Sequence, residues 1–146
     1  MPPAFIVRAA EWNLDETAIA LVRRAVFIVE QGVPEALEWE QSDAQCRWFV
    51  AVSPVQAVIG IARLTKDGRV GRMAVRSEWR QRGVGQALLL LVLQTARELG
   101  LNVVHLSAQT HAIPFYSRFG FIAEGPEYLD AGIPHRTMRS NLRDSA

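Results

Sequence analysis

A short segment rich in arginine and glycine carries the clearest chemical signal in the sequence. It reads Arg80-Gln81-Arg82-Gly83-Val84-Gly85-Gln86 and lies between a β-rich run that ends at Val75 and a long apolar helical pattern. The first amides of a helix have no partner inside the helix, and the helix dipole is positive at that end. Glycines let an anion approach those amides, and arginine binds phosphate oxygens in pairs. The segment is typical of a phosphate-binding loop, although its glycines could instead only shape a turn.

Two common nucleotide-binding loops do not match this segment. A P-loop requires a Gly-Lys-Ser/Thr triplet, which the sequence lacks at this place. A dinucleotide fingerprint requires a small residue where Leu88 stands, and an acidic residue about twenty positions later at the end of a strand. The residues therefore favour a phosphate ligand of another kind.

The spacing of apolar residues predicts the elements that must position this loop. Strand and helix patterns follow the order β-α-β-β-β-α-β-α-β-β, with tight turns between the second, third and fourth strands. The helix that begins at Arg82 and ends at Leu99 should link a strand at 69–75 to a strand at 103–108 through a right-handed parallel crossover. We expect an α/β fold (α+β by some schemes) in one domain over residues 1–146. Its central sheet should be mixed and mostly antiparallel, with helices on both faces.

The bulk composition excludes several classes of protein. The chain has 146 residues, of which 49% are hydrophobic, which is enough for one core. It contains no apolar run of about eighteen residues, and its start lacks a signal-peptide pattern, so we expect no membrane partner. Cys46 is the one cysteine, which favours a reducing compartment, most simply the cytoplasm. The net charge of +1 argues against nucleic-acid binding.

Two segments resemble the signatures of the GCN5-related N-acetyltransferases, the GNAT family. The loop at Arg80 is similar to the acetyl-CoA signature Arg-x-x-Gly-x-Gly, and Phe115-Tyr116-Ser117-Arg118-Phe119-Gly120-Phe121 is similar to the segment Phe-Tyr-x-x-x-Gly-Phe. The match is closer to the ElaA-like acyltransferase branch. That branch has a Val-Phe-x-x-Glu-Gln segment like Val26 to Gln31, an Ala-Gln pair like Ala108-Gln109, and a late segment like Gly132 to His135. The resemblance spans nearly the whole chain.

The resemblance implies that acetyl-CoA lies between two splayed parallel strands. Amides of the segment Met73-Ala74-Val75 would bind the pantetheine arm, and amides from Arg80 to Gln86 would hold the pyrophosphate. Gln109 and Phe115 would also border the cofactor. We expect no metal, because the three histidines lack metal-ligand spacing and Cys46 stands alone.

Acyl transfer from a thioester to an amine requires deprotonation of the amine and benefits from an acid for the leaving thiolate. The resemblance places Tyr116 beside the thioester sulfur, where its protonated phenol would be the acid, unless the ring only packs between helix and sheet. Glu30 is our candidate for the base, if burial or a like charge raises its pKa. It could instead position the substrate ammonium or cap local structure. A histidine base is the remaining alternative, among His105, His111 and His135.

The sequence thus predicts an N-acetyltransferase that moves an acetyl group from acetyl-CoA to a primary amine by direct attack in a ternary complex. The alternative is a non-catalytic module that binds or senses acyl-CoA, and a nucleic-acid binder that uses the arginine cluster is a third reading. The acceptor should be a small-molecule or peptide amine, which Glu38, Glu40 and Asp43 could attract unless they are simply solvated. A sheet edge near the C-terminus could pair two subunits as a homodimer.

Overall fold

The computed structural model contains seven strands and four α-helices among the residues that it describes. The structure describes residues 5–143 without the side chains of residues 36, 37, 41 and 42, so both ends of the predicted domain lie outside the described residues. The strands are β1 (Ile6–Ala9), β2 (Arg47–Val52), β3 (Val58–Leu64), β4 (Val70–Val75), β5 (Val103–Gln109), β6 (Ile122–Asp130) and β7 (Ile133–Asn141). The helices are α1 (Trp12–Arg23), α2 (Glu35–Glu38), α3 (Val84–Glu98) and α4 (Ile113–Ser117). Within the described residues, no helix is both long and apolar enough to cross a membrane.

The strands form two antiparallel sheets that meet at one point. The first sheet has the order β1-β2-β3-β4 and the second has the order β5-β7-β6. A parallel bridge between Arg69 and His105 joins them, where the amide of His105 donates to the carbonyl of Gly68 at 3.0 Å. A Cβ atom on Gly68 would lie 2.8 Å from the carbonyl oxygen of Val103, so only glycine permits this approach. The predicted mixed, mostly antiparallel architecture is confirmed, with the sheet divided in two.

Helices cover both faces of the first sheet, as predicted. The apolar positions of the first helix recur at helical spacing, so Ile19, Val22 and Val26 face one side and pack on residues such as Val50. On the opposite face, α3 buries side chains against the first sheet and also against β5 and β7. This second core cluster includes Phe49, Leu88, Leu89, Val92, Leu106 and Met138.

A bulge in β4 bends that strand beside the junction of the two sheets. The register between β3 and β4 shifts between Ile61 and Arg63, and Arg72 has a left-handed backbone with φ of 49°. A bulge places two residues opposite one and bends its strand. Beyond the bridge at Arg69, no further backbone pairing joins β4 to β5 in the part of the chain that the structure describes. An open cleft therefore separates the two strands.

The first helix ends above this cleft in a widened turn. After α1 the chain continues as a π-helix over Arg24–Glu30, and the amide of Gln31 donates to the carbonyl of Val26 at 3.0 Å. π-helical turns are rare and occur frequently at functional sites. This turn places Phe27 and Gln31 at the cleft, where they line its cavity. It also places Glu30 beside Arg80, in the loop that precedes α3.

Candidate active site

The loop before α3 and the first turn of that helix present a continuous series of free backbone donors. Within the described residues, the six amides from Gln81 to Gln86 make no backbone hydrogen bond, and helical pairing begins where the amide of Ala87 donates to Gly83 at 3.0 Å. Gln81 and Gly83 have φ angles of 63° and 84°. Such left-handed residues within a turn direct successive N–H groups toward a common anion. The loop can thus bind phosphate oxygens at the positive end of a helix of 15 residues.

The two arginines of the loop have different environments. Arg80 donates from Nε to the carbonyl of Val75 at 2.9 Å, and its Nη atoms contact the Glu30 carboxylate at 2.5 and 2.8 Å. Arg82 lies over the ring of Trp79, 5.1 Å from its centroid. The Arg80 guanidinium therefore ties the end of the first helix to the loop, and Arg82 is the arginine that remains beside the free amides.

Glu30 lies in a setting opposite to the one expected for a general base. The hydrogen bond from Arg80 holds the pKa of Glu30 below its usual range, and its side chain is 43% exposed. The expected rise of this pKa is wrong, because the carboxylate is both solvated and paired with a cation. A carboxylate that is stabilised in its ionised form accepts a proton poorly.

Tyr116 lies at the point where α4 approaches β4. Its hydroxyl donates to Sδ of Met73 at 3.8 Å, and its ring packs edge-on against Phe115 and Phe121. Burial raises the pKa of Tyr116 to about 12, so the phenol is protonated at neutral pH. A Cβ atom on Gly85 would lie 3.7 Å from Phe115, which shows how closely α4 packs on the start of α3. The structure thus brings Tyr116, Met73 and the loop together.

A cavity of about 240 Å³ opens in the cleft beside Tyr116 and Met73. Gln109 and Gln31 span it from opposite sides, and Nε2 of Gln109 donates to Oε1 of Gln31 at 3.0 Å. A second cavity of about 210 Å³ continues from it. Both cavities are lined by Phe27, Gln31, Arg69, Arg72, Gln109, Asp130 and His135. This continuous space can hold a second substrate next to the phenol.

The predicted β4 residues divide between the two sides of the sheet. Met73 lines the cavity, whereas Ala74 is buried in the core cluster beneath α1. Val75 packs in the opposite core cluster beside α3, and its carbonyl accepts the bond from Arg80. Side chains from β4 thus reach the cleft through Met73, and Ala74 can contribute only its backbone.

The early acidic residues form a buried ion-pair cluster with arginines. Arg23 contacts Glu38 at 2.7 Å and Asp43 at 2.8 Å, and Arg63 contacts Asp43 at 2.9 Å. The exposed fractions of the Arg23 and Arg63 side chains are only 2% and 1%. Burial opposes ionisation of Asp43, but hydrogen bonds from Arg23, the Glu40 amide and Arg63 outweigh it, and the pKa of Asp43 is lowered.

Two further contacts complete the cluster and neutralise it. Arg72 contacts Glu38 and Glu40, each at 3.2 Å, and Arg63 contacts Glu40 at 3.3 Å. Three arginines therefore balance three carboxylates. The expectation that these carboxylates attract a cationic amine is wrong because each has an arginine partner, and simple solvation is wrong for the two most buried, Glu38 and Asp43.

The sequence does contain a signal for this cluster. Arg63 interrupts a strand whose neighbours are apolar, and Arg23 follows Ile19 by four positions on the buried face of α1. An arginine at such a position must have partners, since a buried unpaired charge is very costly. Arg23 lies between the rings of Trp39 and Trp48, with its guanidinium carbon 4.7 and 5.0 Å from their centroids.

The three histidines occupy different places. His105 lies at the junction of the sheets, with Nε2 4.0 Å from Asp67. His111 is exposed at the rim of the first cavity. His135 is 8% exposed, lines both cavities, and has Nδ1 2.6 Å from the carbonyl oxygen of Ile133. Among the described residues there is no group of three or more His, Cys, Asp or Glu that could hold a metal.

Comparison with known proteins gives consistent matches along the chain. A family model described as an acetyltransferase (GNAT) domain matches residues 13–142. The uncharacterized N-acetyltransferase YjcF of Bacillus subtilis is 33% identical over 120 residues, which cover 80% of this chain and 86% of that protein.

Solved structures resemble the whole described architecture. The crystal structure of an acyl-CoA N-acyltransferase from Pseudomonas aeruginosa matches with a TM-score of 0.81 and 30% identity, over 93% of this chain and 98% of that chain. That of ElaA from Escherichia coli matches with a TM-score of 0.84 and 27% identity, over 94% of this chain and 99% of that chain. The family match includes both the loop at Arg80 and the segment at Phe115.

Proposed function

This chain belongs to the GNAT acetyltransferase family, which confirms the resemblance found in its sequence, and on this premise we propose that it transfers an acetyl group from acetyl-CoA to a primary amine. The acceptor is a small-molecule or peptide amine that attacks the thioester directly in a ternary complex. Holding both reactants in one site can supply roughly 7–11 kcal/mol of the barrier reduction. The structure supports this proposal because the cavity beside Tyr116 has room for a second substrate.

The six free amides in the loop before α3 and in the first turn of that helix are the observation that carries the donor assignment. We assign the pyrophosphate of coenzyme A to the amides from Gln81 to Gln86, with Arg82 as a neighbouring charge. The pantetheine arm then follows the backbone of Met73 to Val75 toward the cleft. Phe115 and Gln109 border this path, one beside Gly85 and the other across the cavity. The thioester would lie near Sδ of Met73 and the hydroxyl of Tyr116.

Tyr116 is the group that we assign to protonate the departing thiolate. Its phenol is held in the protonated form, and its hydroxyl has only a weak sulfur acceptor at 3.8 Å. Glu30 receives a different task from the one first expected. Through its pair with Arg80 it fixes the end of the first helix against the loop, which makes it a positioning residue.

Thiol release from acetyl-CoA across a panel of amines tests the function. The panel should include polyamines, amino sugars, amino acids and peptide amines, and calorimetry should measure acetyl-CoA binding in parallel. We expect binding without any amine and thiol release with at least one. Tight binding with no thiol release on any amine would favour the sensing module. Failure to bind acetyl-CoA would refute the donor assignment.

A further inference from the structure

We propose that His135 is the base that takes the proton from the acceptor amine. This inference rests on the proposed function and deepens it. His135 lies on β7 directly across from Gln109 of β5, and both side chains line the cavity that contains the hydroxyl of Tyr116. The base and the acid would therefore act on the same bound substrate from two walls of one cavity.

The tautomer of His135 follows from its hydrogen bond. Nδ1 lies 2.6 Å from the carbonyl oxygen of Ile133, and because a carbonyl only accepts, Nδ1 must carry the hydrogen. In the neutral ring Nε2 then holds a lone pair. Within the part of the chain that the structure describes, Nε2 has no hydrogen-bond or ion-pair partner. A neutral imidazole with one nitrogen fixed and the other free is a suitable proton acceptor near neutral pH.

The surroundings fix the ring at the wall of the cavity. The ring of Tyr128 on β6 stacks on it with centroids 6.1 Å apart, and the hydroxyl of Tyr128 is hydrogen-bonded to Ser107 of β5. Because the ring is only 8% exposed, its orientation is set by these neighbours. The charged and titratable groups that line the same cavities are Glu38 with Arg63 and Arg72 of the ion-pair cluster, Arg69, His111, Tyr116 and Asp130.

The other candidate bases either have a charged partner or lack a hydrogen bond that fixes the ring. Glu30 is paired with Arg80, and Glu38 is paired with Arg23. His111 is exposed at the rim and has no hydrogen bond among the described residues that would fix its tautomer. His135 is thus the imidazole whose ring is both buried and fixed by a hydrogen bond at the wall of the cavity.

Proton transfers through His135 and Tyr116 account for every proton in the proposed reaction. His135 takes one proton from the ammonium of the acceptor, and the neutral amine attacks the carbonyl carbon so that a C–N bond forms. As the intermediate collapses, the C–S bond breaks and the thiolate takes the proton of Tyr116. The phenolate then recovers a proton from the nitrogen of the new amide. His135 releases its proton to water, so the net products are the amide, free coenzyme A and one proton.

The decisive experiment compares His135→Asn with wild type, using acetyl-CoA and the most active amine of the panel. Asparagine can keep a donor near the position of Nδ1 but has no atom at Nε2. We expect turnover at neutral pH to fall by about 10²-fold, with little change in acetyl-CoA affinity. The deficit should shrink as the pH rises and the amine loses its proton unaided. His105→Asn is the control, because that ring lies at the sheet junction and lines neither cavity.

Two further measurements separate a chemical role from a structural one. Added imidazole should restore part of the turnover of His135→Ala, which a purely structural residue would not permit. In long-range ¹⁵N–¹H spectra of wild type, the neutral ring should be protonated at Nδ1. Unchanged turnover in His135→Asn, or a ring protonated at Nε2, would overturn the proposal while leaving the acyltransferase function intact. A wild-type enzyme that is inactive with every amine would refute both.

Discussion

At the scale of single residues, two groups of the candidate site have opposite protonation states at neutral pH. The partly buried Tyr116 has a raised pKa and stays a neutral phenol, whereas Glu30 is exposed, paired with Arg80 and ionised. The same kind of environment that makes a phenol a persistent proton donor would make a carboxylate a base, but Glu30 does not lie in that environment. The acid that we propose is therefore Tyr116, and the base that we propose is a side chain other than Glu30.

Tyr116→Phe should lower turnover by about 10²-fold or more, because the thiolate would leave without a proton donor. The ring packing against Phe115 and Phe121 is retained, so acetyl-CoA affinity and the unfolding midpoint should change little. Steady-state thiol release and calorimetry measure the two effects. Equal turnover in wild type and variant would remove Tyr116 from the acid role.

The raised pKa of Tyr116 also predicts how stability depends on pH. Above the usual phenol pKa of about 10 the unfolded chain ionises this side chain, while the folded chain keeps it neutral until about pH 12. The contribution of Tyr116 is thus fully present below pH 10 and is lost as the pH rises toward 12. The difference in tyrosinate absorbance between wild type and Tyr116→Phe should develop near pH 12. A step near pH 10 would contradict the burial argument.

At the scale of elements, three irregular segments shape the cleft and the loop before α3. The π-helix places Gln31 at the cavity, and the bulge at Arg72 bends β4. Gly83, which has a left-handed backbone conformation, is the residue just before α3. The π-helix and the bulge lie next to the cleft, and Gly83 lies at the start of α3. Regular versions of these elements would pair or pack their backbone groups where a substrate must instead have access.

Gly83→Glu should abolish acetyl-CoA binding through the bulk and charge that it adds at the phosphate loop. The matched control is Gly100→Glu at the other end of α3, where φ is 82° and a Cβ atom also meets nothing within 4 Å. Both variants incur a similar backbone strain of about 1–2 kcal/mol, so their stabilities should fall alike. Calorimetry should detect binding in the control alone. Tight binding by Gly83→Glu would refute the phosphate-loop assignment.

At the scale of the whole molecule, the ion-pair cluster connects parts of the chain that are distant in sequence. Asp43 accepts bonds from Arg23 of α1 and from Arg63 of β3, so it fixes the first helix and the following segment on the sheet. Its pKa is lowered, which means that its contribution to stability is present above the usual aspartate range and is lost as the pH falls through the folded-state pKa. The cluster therefore acts as a structural anchor beside the two cavities that Arg72 lines.

Asp43→Asn should destabilise the fold by about 3–5 kcal/mol, because it leaves buried guanidinium groups without a full counter-charge. Glu35→Gln is the matched control, since its pair with Arg24 has side chains that are 57% and 48% exposed. Exposed pairs of this kind contribute little to stability, so this variant should unfold at nearly the same urea concentration as wild type. Urea unfolding at neutral pH measures both. A loss of less than about 1 kcal/mol in Asp43→Asn would show that solvent reaches the cluster.

The sequence predicted the order of the elements and the glycine-rich segment before α3 better than the contacts of Glu30 and of the early acidic residues, for a physical reason. Local spacing determines strands, turns and helix starts, so the order of elements and the loop at Gly83 could be recognised. The pair between Glu30 and Arg80 joins residues that are fifty positions apart. It depends on where the π-helix ends, and a regular helical pattern does not reveal that. The Arg23 and Arg63 partners likewise depend on the fold.

The bridge between Arg69 and His105 has a consequence for how the two sheets can move relative to each other. Side chains around α3 hold the two sheets together, whereas within residues 5–143 their strands share backbone pairing only at this bridge. Opening the cleft toward Gln31 and Gln109 would therefore break a side-chain amide contact but no ladder of strand hydrogen bonds. A small rotation of one sheet relative to the other about this bridge would leave the strand hydrogen bonds within each sheet intact.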